Sequence, residues 1–264
     1  FKMEYWPLEL AKIKPSIQKL KGHVTVISGG LGAIGYATAQ KFLKEGSEII
    51  LLDIVDPKKV SLDLTGMTYF QCDITNENKV EAVFDQISQN FGGVDILISN
   101  AGFAIQSSLD ELTKKQLDSS FDLNFFAHHY FVKHGTKIMK IQNMKGSVVF
   151  NISKQAVNPG PNFGAYGLPK ATLMFLMKQY VVESSKYGIR FNGINADRIR
   201  SGLLNPDMIA KRAKSRGLTI EQYMAGNLLK EEVKASDVAD AFYHLSISYR
   251  TTASVITVDG GNIE

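Results

Sequence analysis

Short runs of β-branched and other apolar residues recur along this chain, each followed by a longer stretch with helical spacing. The runs fall at 23–28, 48–53, 68–71, 95–99, 147–152, 190–194 and 254–258, and helical patterns occupy 34–45, 77–90, 114–139, 163–187 and 235–248. Runs such as Glu48-Ile-Ile-Leu-Leu-Asp53 do not alternate polar with apolar residues. A strand that is apolar on both faces needs cover on both, and a parallel sheet between two helix layers supplies it. The pattern predicts one α/β domain built on a doubly wound parallel sheet.

With 264 residues, 44% of them hydrophobic and 21% charged, the chain has the material for one large core. A formal charge of +4 without a dense Lys/Arg stripe argues against a nucleic-acid partner. No apolar run approaches the ~18 residues of a membrane span. Cys72 is the single cysteine, so no intrachain disulfide forms, and a reducing, cytoplasmic location is expected. The five histidines and that cysteine show no metal-ligand spacing, so no metal is expected. Residues 1–21 carry scattered charges and no apolar signal-peptide core; they read as an arm or linker from something upstream. Residues 22–264 form the domain, and 202–233, with helical pattern but no strand, read as a lid.

Ser28-Gly-Gly-Leu-Gly-Ala-Ile-Gly35 lies between the first strand and the first helix. Gly29, Gly32 and Gly35 permit a tight turn that a pyrophosphate can approach, in front of the N–H groups of a helix start. This is a Rossmann-type dinucleotide turn. Asp53 ends the second strand, where a carboxylate binds a ribose diol and repels a 2′-phosphate, which favours NAD over NADP. Lys58 and Lys59 follow closely and oppose that reading.

From here the sequence resembles the classical short-chain dehydrogenase/reductase family over about 21–262. The opening motif matches Ser28-Gly29 through Ile34-Gly35, with Ala33 in place of a central glycine; Leu31, Gly32 and Ile54 belong to the same cofactor set. The adenine-contacting acid matches Asp73, beside Ile74. The Asn-Ala-Gly stretch after the fourth strand is Asn100-Ala101-Gly102. The catalytic asparagine matches Asn124, the serine Ser153, and the Tyr-x-x-x-Lys pair Tyr166 and Lys170. After the sixth strand the family's Pro-Gly is replaced by Ala196-Asp197, and Ile199 and Ser201 match positions that meet the nicotinamide carboxamide and the phosphates. The segments 4–10, 158–166, 195–204 and 223–229 are similar to the dehydrogenase half of bifunctional rhamnulose-1-phosphate aldolase/short-chain dehydrogenases. The resemblance implies a covalently linked upstream aldolase domain in the full-length protein, a lactaldehyde-type hydroxy-aldehyde, polyol or sugar alcohol as substrate, and a homo-oligomer.

The chemistry has a reason independent of the family. Tyr166 and Lys170 stand four apart, so a helix presents both on one face. Bringing a tyrosine from a pKa of ~10 to ~7 requires about 4 kcal/mol of phenolate stabilisation, and a nearby ammonium acts in that direction. Ser153 as the group that orients the substrate oxygen, Lys170 as a ribose ligand and Asn124 as the holder of a relay water are what the resemblance implies. Pro169 inside the pair is expected only near a first turn or at a bend. On the substrate side, Gln155 and Arg198 are candidates, with Phe163 as a wall. The basic run Lys211-Arg212-Ala-Lys214-Ser-Arg216 fits either an acidic substrate or a solvated helix face. A non-catalytic NAD-binding regulatory or scaffolding module is the alternative to an enzyme, and an extended epimerase is disfavoured by the short remaining chain.

Overall fold

The computed structural model describes residues 18–202 and 204–262, so most of the expected arm lies outside the described residues. Seven strands, β1 Val24–Ser28, β2 Glu48–Asp53, β3 Met67–Gln71, β4 Ile96–Ser99, β5 Gly146–Asn151, β6 Ile189–Ala196 and β7 Val255–Val258, form one sheet in the order β3-β2-β1-β4-β5-β6-β7. All pairings are parallel. The chain winds outward from β1 to β3, then returns to place β4 on the other side of β1. This reversal opens a crevice at the C-terminal ends of β1 and β4, where open α/β sheets bind ligands.

Period-two alternation divides the strand side chains between two layers. Val26, Ile50, Leu52, Leu97 and Val148 join one core cluster, together with Phe84 of helix α2 (Glu77–Phe91), Phe131 of α4 (Ala127–Gln142) and Met177 of α5 (Gly164–Ser184). Ile27, Ile49, Leu51, Ile98 and Val149 join the other, against Phe42 of α1 (Ala33–Lys44) and Phe242 of α8 (Ala235–Ile247). Leu20 is buried in this second cluster, and its N–H donates to Glu45 O, so the described end of the arm is part of the domain core.

Two expected elements differ in detail. The helix expected over 114–139 is interrupted: α3 (Lys114–Phe121) passes into a π turn at Asp122–Phe126 before α4 begins. The segment expected as a lid holds two short helices, α6 (Pro206–Ser215) and α7 (Ile220–Met224), with a small core of Leu204, Ile209, Ala213, Tyr223 and Met224. Pro169 sits in the second turn of α5, where its missing N–H leaves the carbonyl of Ala165 without its usual helical donor.

Candidate active site

One cleft of about 1980 Å³ runs along the crevice from the turn after β1 to the lid. At one end, Gly29 has φ +64°, and a Cβ there would lie 2.8 Å from Ala101 Cα. A Cβ on Gly35 would overlap the carbonyl oxygen of Gly29. The turn is therefore closed to a side chain at Gly29 and Gly35, and Gly32 precedes α1 as an N-cap without a side-chain hydrogen bond. The free N–H groups of α1 face the cleft beside Leu31, Ala33 and Ile34, a cradle that suits a phosphate. Ser28 Oγ accepts from the N–H groups of Asn100 (2.9 Å) and Ala101 (3.3 Å), and Asn100 Nδ2 donates to Ser28 O and Gly29 O (both 3.2 Å). The Asn-Ala-Gly stretch thus pins the glycine turn to the end of β4.

Asp53 is half-buried at the end of β2, with Oδ2 accepting from Leu31 N (3.0 Å) and Oδ1 from Val55 N (3.1 Å). Asp73 accepts from Thr75 N and Oγ1 and, with Ile74 and the exposed Ile54, lines the same end of the cleft. Lys58 and Lys59 are exposed on the turn after Asp56 and are not among the cleft-lining residues. Ile199 is buried, and Ser201 Oγ donates to Ile199 O (3.2 Å). Both line the cleft.

The reactive end gathers Ser153, Tyr166 and Lys170. Ser153 follows β5, is 8% exposed, and hydrogen-bonds the Tyr166 hydroxyl. Burial pushes the Tyr166 phenol up to about 12, and the Ser153 hydrogen bond opposes that shift. Lys170, 2% exposed, donates to Asn151 O (2.9 Å), and its Nζ lies 5.8 Å from the Tyr166 ring centroid. Burial pulls its ammonium down to about 7. The expected acidification of Tyr166 by Lys170 is therefore outweighed in the protein alone, because desolvation disfavours the charged form of both groups.

Asn124 occupies the π turn and is fully buried. Its Nδ2 donates to Phe103 O (2.9 Å) and Ser120 Oγ (3.0 Å), and its Oδ1 accepts from Phe103 N (3.3 Å). This side chain fixes the backbone at Phe103. A Cβ on Gly102 would lie 3.0 Å from Asn124 Oδ1 and 3.7 Å from Lys170 Nζ, so a side chain there would press on the Asn124 amide. Gln155 Oε1 accepts from Gly160 N (2.8 Å) and shapes the substrate wall. Arg198 lines the cleft, but its donors reach Asp197 (3.1 Å), Tyr223 O (2.8 Å) and Gly226 O (2.6 Å). It straps the lid to the end of β6 rather than standing free for substrate.

The sequence reading missed His128. It is fully buried one turn after Asn124, with Nδ1 2.6 Å from Ser99 Oγ and Nε2 3.3 Å from Lys170 Nζ. Burial, reinforced by the Lys170 charge, holds its pKa well below the usual histidine value. A neutral imidazole that accepts from the ammonium at Nε2 carries its proton on Nδ1 and donates it to Ser99. The four-residue spacing from Asn124 was the available signal. Asn151, whose Nδ2 donates to Asn100 Oδ1 (2.9 Å), was also missed.

A parallel sheet with a glycine-rich turn at its switch point, beside a Ser-Tyr-Lys group, defines a dinucleotide-dependent oxidoreductase site. Residues 30–262 match the family model described as enoyl-(acyl carrier protein) reductase. The chain is 32% identical over 281 residues to "Uncharacterized oxidoreductase YuxG" of Bacillus subtilis (strain 168), covering 99% of this chain and 40% of that protein. It thus spans less than half the length of that relative. "Short chain aldehyde dehydrogenase 1" of Euphorbia lathyris is 29% identical, with 94% of this chain and 90% of that protein covered. Among solved structures, the aldohexose dehydrogenase AldT of Thermoplasma acidophilum superposes with a TM-score of 0.81 at 25% identity, covering 93% of this chain and 96% of that one. An NAD+-bound xylitol dehydrogenase gives 0.85 at 23%, covering 92% and 100%. The chain belongs to the classical short-chain dehydrogenase/reductase family, whose members use a nicotinamide cofactor.

Proposed function

We propose that the protein is an NAD-dependent dehydrogenase moving hydride between nicotinamide and the carbinol carbon of a small hydroxy-aldehyde, polyol or sugar alcohol of the lactaldehyde type. The observation that carries this reading is the Tyr166 hydroxyl, bonded to Ser153 inside the cleft that begins at the glycine turn. The cradle of Gly29, Leu31, Gly32, Ala33, Ile34 and Gly35 holds the pyrophosphate. Asp53 binds the adenosine ribose, Asp73 and Ile74 flank the adenine, and Ile199 and Ser201 meet the nicotinamide end. The cofactor, when bound, supplies the hydride acceptor.

Ser153 and Tyr166 hold the substrate oxygen from two sides, and Tyr166 takes its proton as the alcohol is oxidised. Lys170 holds the nicotinamide ribose and supplies positive charge that favours the phenolate. Asn124 and His128 hold the 102–103 backbone and the Lys170 ammonium in place. Because the phenolate is the active base, kcat/KM for oxidation rises with pH up to its controlling pKa, and the reduction rate falls over the same range.

Support for NAD comes from Asp53 facing the cleft while Lys58 and Lys59 lie outside it. Asp53→Asn is expected to raise the NAD KM about 10-fold to 100-fold, the loss of a charged hydrogen-bond pair, and to narrow the preference over NADP. Initial rates with both cofactors check this. The functional test is cofactor reduction at 340 nm with lactaldehyde, 1,2-propanediol and xylitol; absence of turnover on such a panel, with NAD bound, favours the non-catalytic module.

The assembly reading rests on α5. Leu168, Phe175 and Val182 recur every seven residues on one face and are 49%, 68% and 79% exposed. We read this apolar stripe as the contact of a homo-oligomer. Phe175→Glu is expected to yield monomers by light scattering, where the unaltered chain is larger. An upstream aldolase domain and a cytoplasmic setting belong to the same proposal, and the reading frame before Phe1 tests the first.

A further inference from the structure

We infer that the substrate side of the cleft carries an anion subsite built on the Arg212 guanidinium, which takes the carboxylate or phosphate of a small hydroxy substrate. This rests on the oxidoreductase reading of the same cleft and replaces the neutral substrate proposed above with one that carries an anionic group.

Arg212 lies on α6 and lines the cleft. Its Nη2 is buried and has no hydrogen-bond partner. Its Nη1 reaches only the Tyr223 hydroxyl, at a long 3.5 Å. No carboxylate lies within 4.0 Å of it among the described residues. A buried guanidinium N–H without an acceptor is costly, and folded chains keep such groups where something else supplies the acceptor.

The neighbouring arginines lack that vacancy. Arg200 forms a bidentate pair with Glu232 at 2.6 and 3.0 Å, and Arg198 is committed to Asp197 and two lid carbonyls. Arg216 packs over Tyr223, 5.3 Å from its ring.

The geometry around Arg212 favours an anion. Its Cζ stands 4.9 Å from the Phe163 ring centroid, so the guanidinium lies over an aromatic face. Phe163 is the N-cap residue of α5, three residues before Tyr166, and both line the same cleft. Lys211 and Arg216 face the same cleft and add positive charge. The carboxylates facing the cleft on this side are Glu111, Asp122 and Asp197; the first two are exposed, and the third is paired with Arg198. A fixed guanidinium fork matches carboxylate and phosphate oxygens two at a time.

The test compares three substrates with one carbon skeleton: 1,2-propanediol, lactate and 1,2-propanediol 1-phosphate. Initial rates of NAD reduction are measured for the unaltered protein, Arg212→Met and Arg212→Lys. The subsite predicts that one anion has a kcat/KM at least about 10-fold above the diol, and which anion wins separates carboxylate from phosphate. Arg212→Met lowers the anion-to-diol ratio about 10-fold to 100-fold, and Arg212→Lys restores part of it, because lysine keeps the charge but not the fork. A ratio near one in the unaltered protein, or a ratio unmoved by Arg212→Met, overturns the subsite. Calorimetric titration of both anions into the NAD-saturated protein separates this from the catalytic reading. Anion binding that Arg212→Met abolishes, without any turnover, keeps the subsite and removes the dehydrogenase assignment. No binding of either anion overturns the subsite.

Discussion

Tyr166→Phe is expected to lower kcat about 10²-fold to 10⁴-fold while leaving NAD affinity and folding nearly unchanged, the usual magnitude for loss of a positioned acid–base group. The substitution removes one hydroxyl from a half-buried ring and keeps the ring's packing in α5. Ser153 Oγ loses one partner but still accepts from Gln155 N at 3.1 Å, so no buried group is orphaned by the change. Steady-state rates with NAD and a polyol, beside a binding titration of NAD, separate the two effects. A variant that turns over within a few-fold of the unaltered protein assigns the proton transfer elsewhere, and one that no longer binds NAD makes Tyr166 a cofactor ligand first.

The second large effect concerns stability. Burial pulls Lys170 down to about 7, whereas an unfolded lysine titrates near ~10.4. Between those values the unfolded chain binds one more proton than the folded one, so stability rises with pH over that window. Below about 7 both states carry the proton, and the burial cost is felt in full. At the limiting slope of about 1.4 kcal/mol per pH unit, the gain from pH 7 to pH 9 is about 2 kcal/mol. Lys170→Met lacks the titrating group, so the difference in unfolding free energy between the two proteins is expected to move by that amount in favour of the unaltered chain. Urea unfolding at the two pH values measures it. A pH-independent difference means that the ammonium keeps its charge in the folded core. Turnover should be lost in Lys170→Met at both pH values.

The sheet was legible because its strands are continuous apolar runs with glycine, asparagine or charge at their ends. β2 matches its expected bounds, and β3 gains only Met67, which pairs with Ile49. β6 runs past 194 because Asn195 and Ala196 pair with Thr257 and Val258 of the edge strand, a neighbour that local sequence does not announce. The π turn at Asp122–Phe126 was invisible: one displaced hydrogen-bond step barely changes the spacing of apolar residues, although it is what turns Asn124 toward Phe103.

At the site, the glycine turn, Asp53, Ser153, Tyr166 and Lys170 were legible because their chemistry requires fixed residue types at fixed spacings. Partner choice was not. Arg198 could be read as a substrate ligand until the lid supplied Tyr223 O and Gly226 O, residues far along the chain. Arg212 was one member of a basic run until Phe163 and Tyr223 enclosed its guanidinium. His128 needed Ser99 and Lys170 from two other elements before its burial had meaning.

A crystal structure of the protein with NAD bound tests the central claim most directly. The account predicts the pyrophosphate on the turn from Gly29 to Gly35, the adenosine ribose on Asp53, and the nicotinamide ring against the space in front of Ser153, with the Tyr166 hydroxyl about 3–4 Å from where a substrate oxygen must sit for near-attack geometry. A nicotinamide ring lodged elsewhere in the cleft, with Tyr166 facing away from it, contradicts the account.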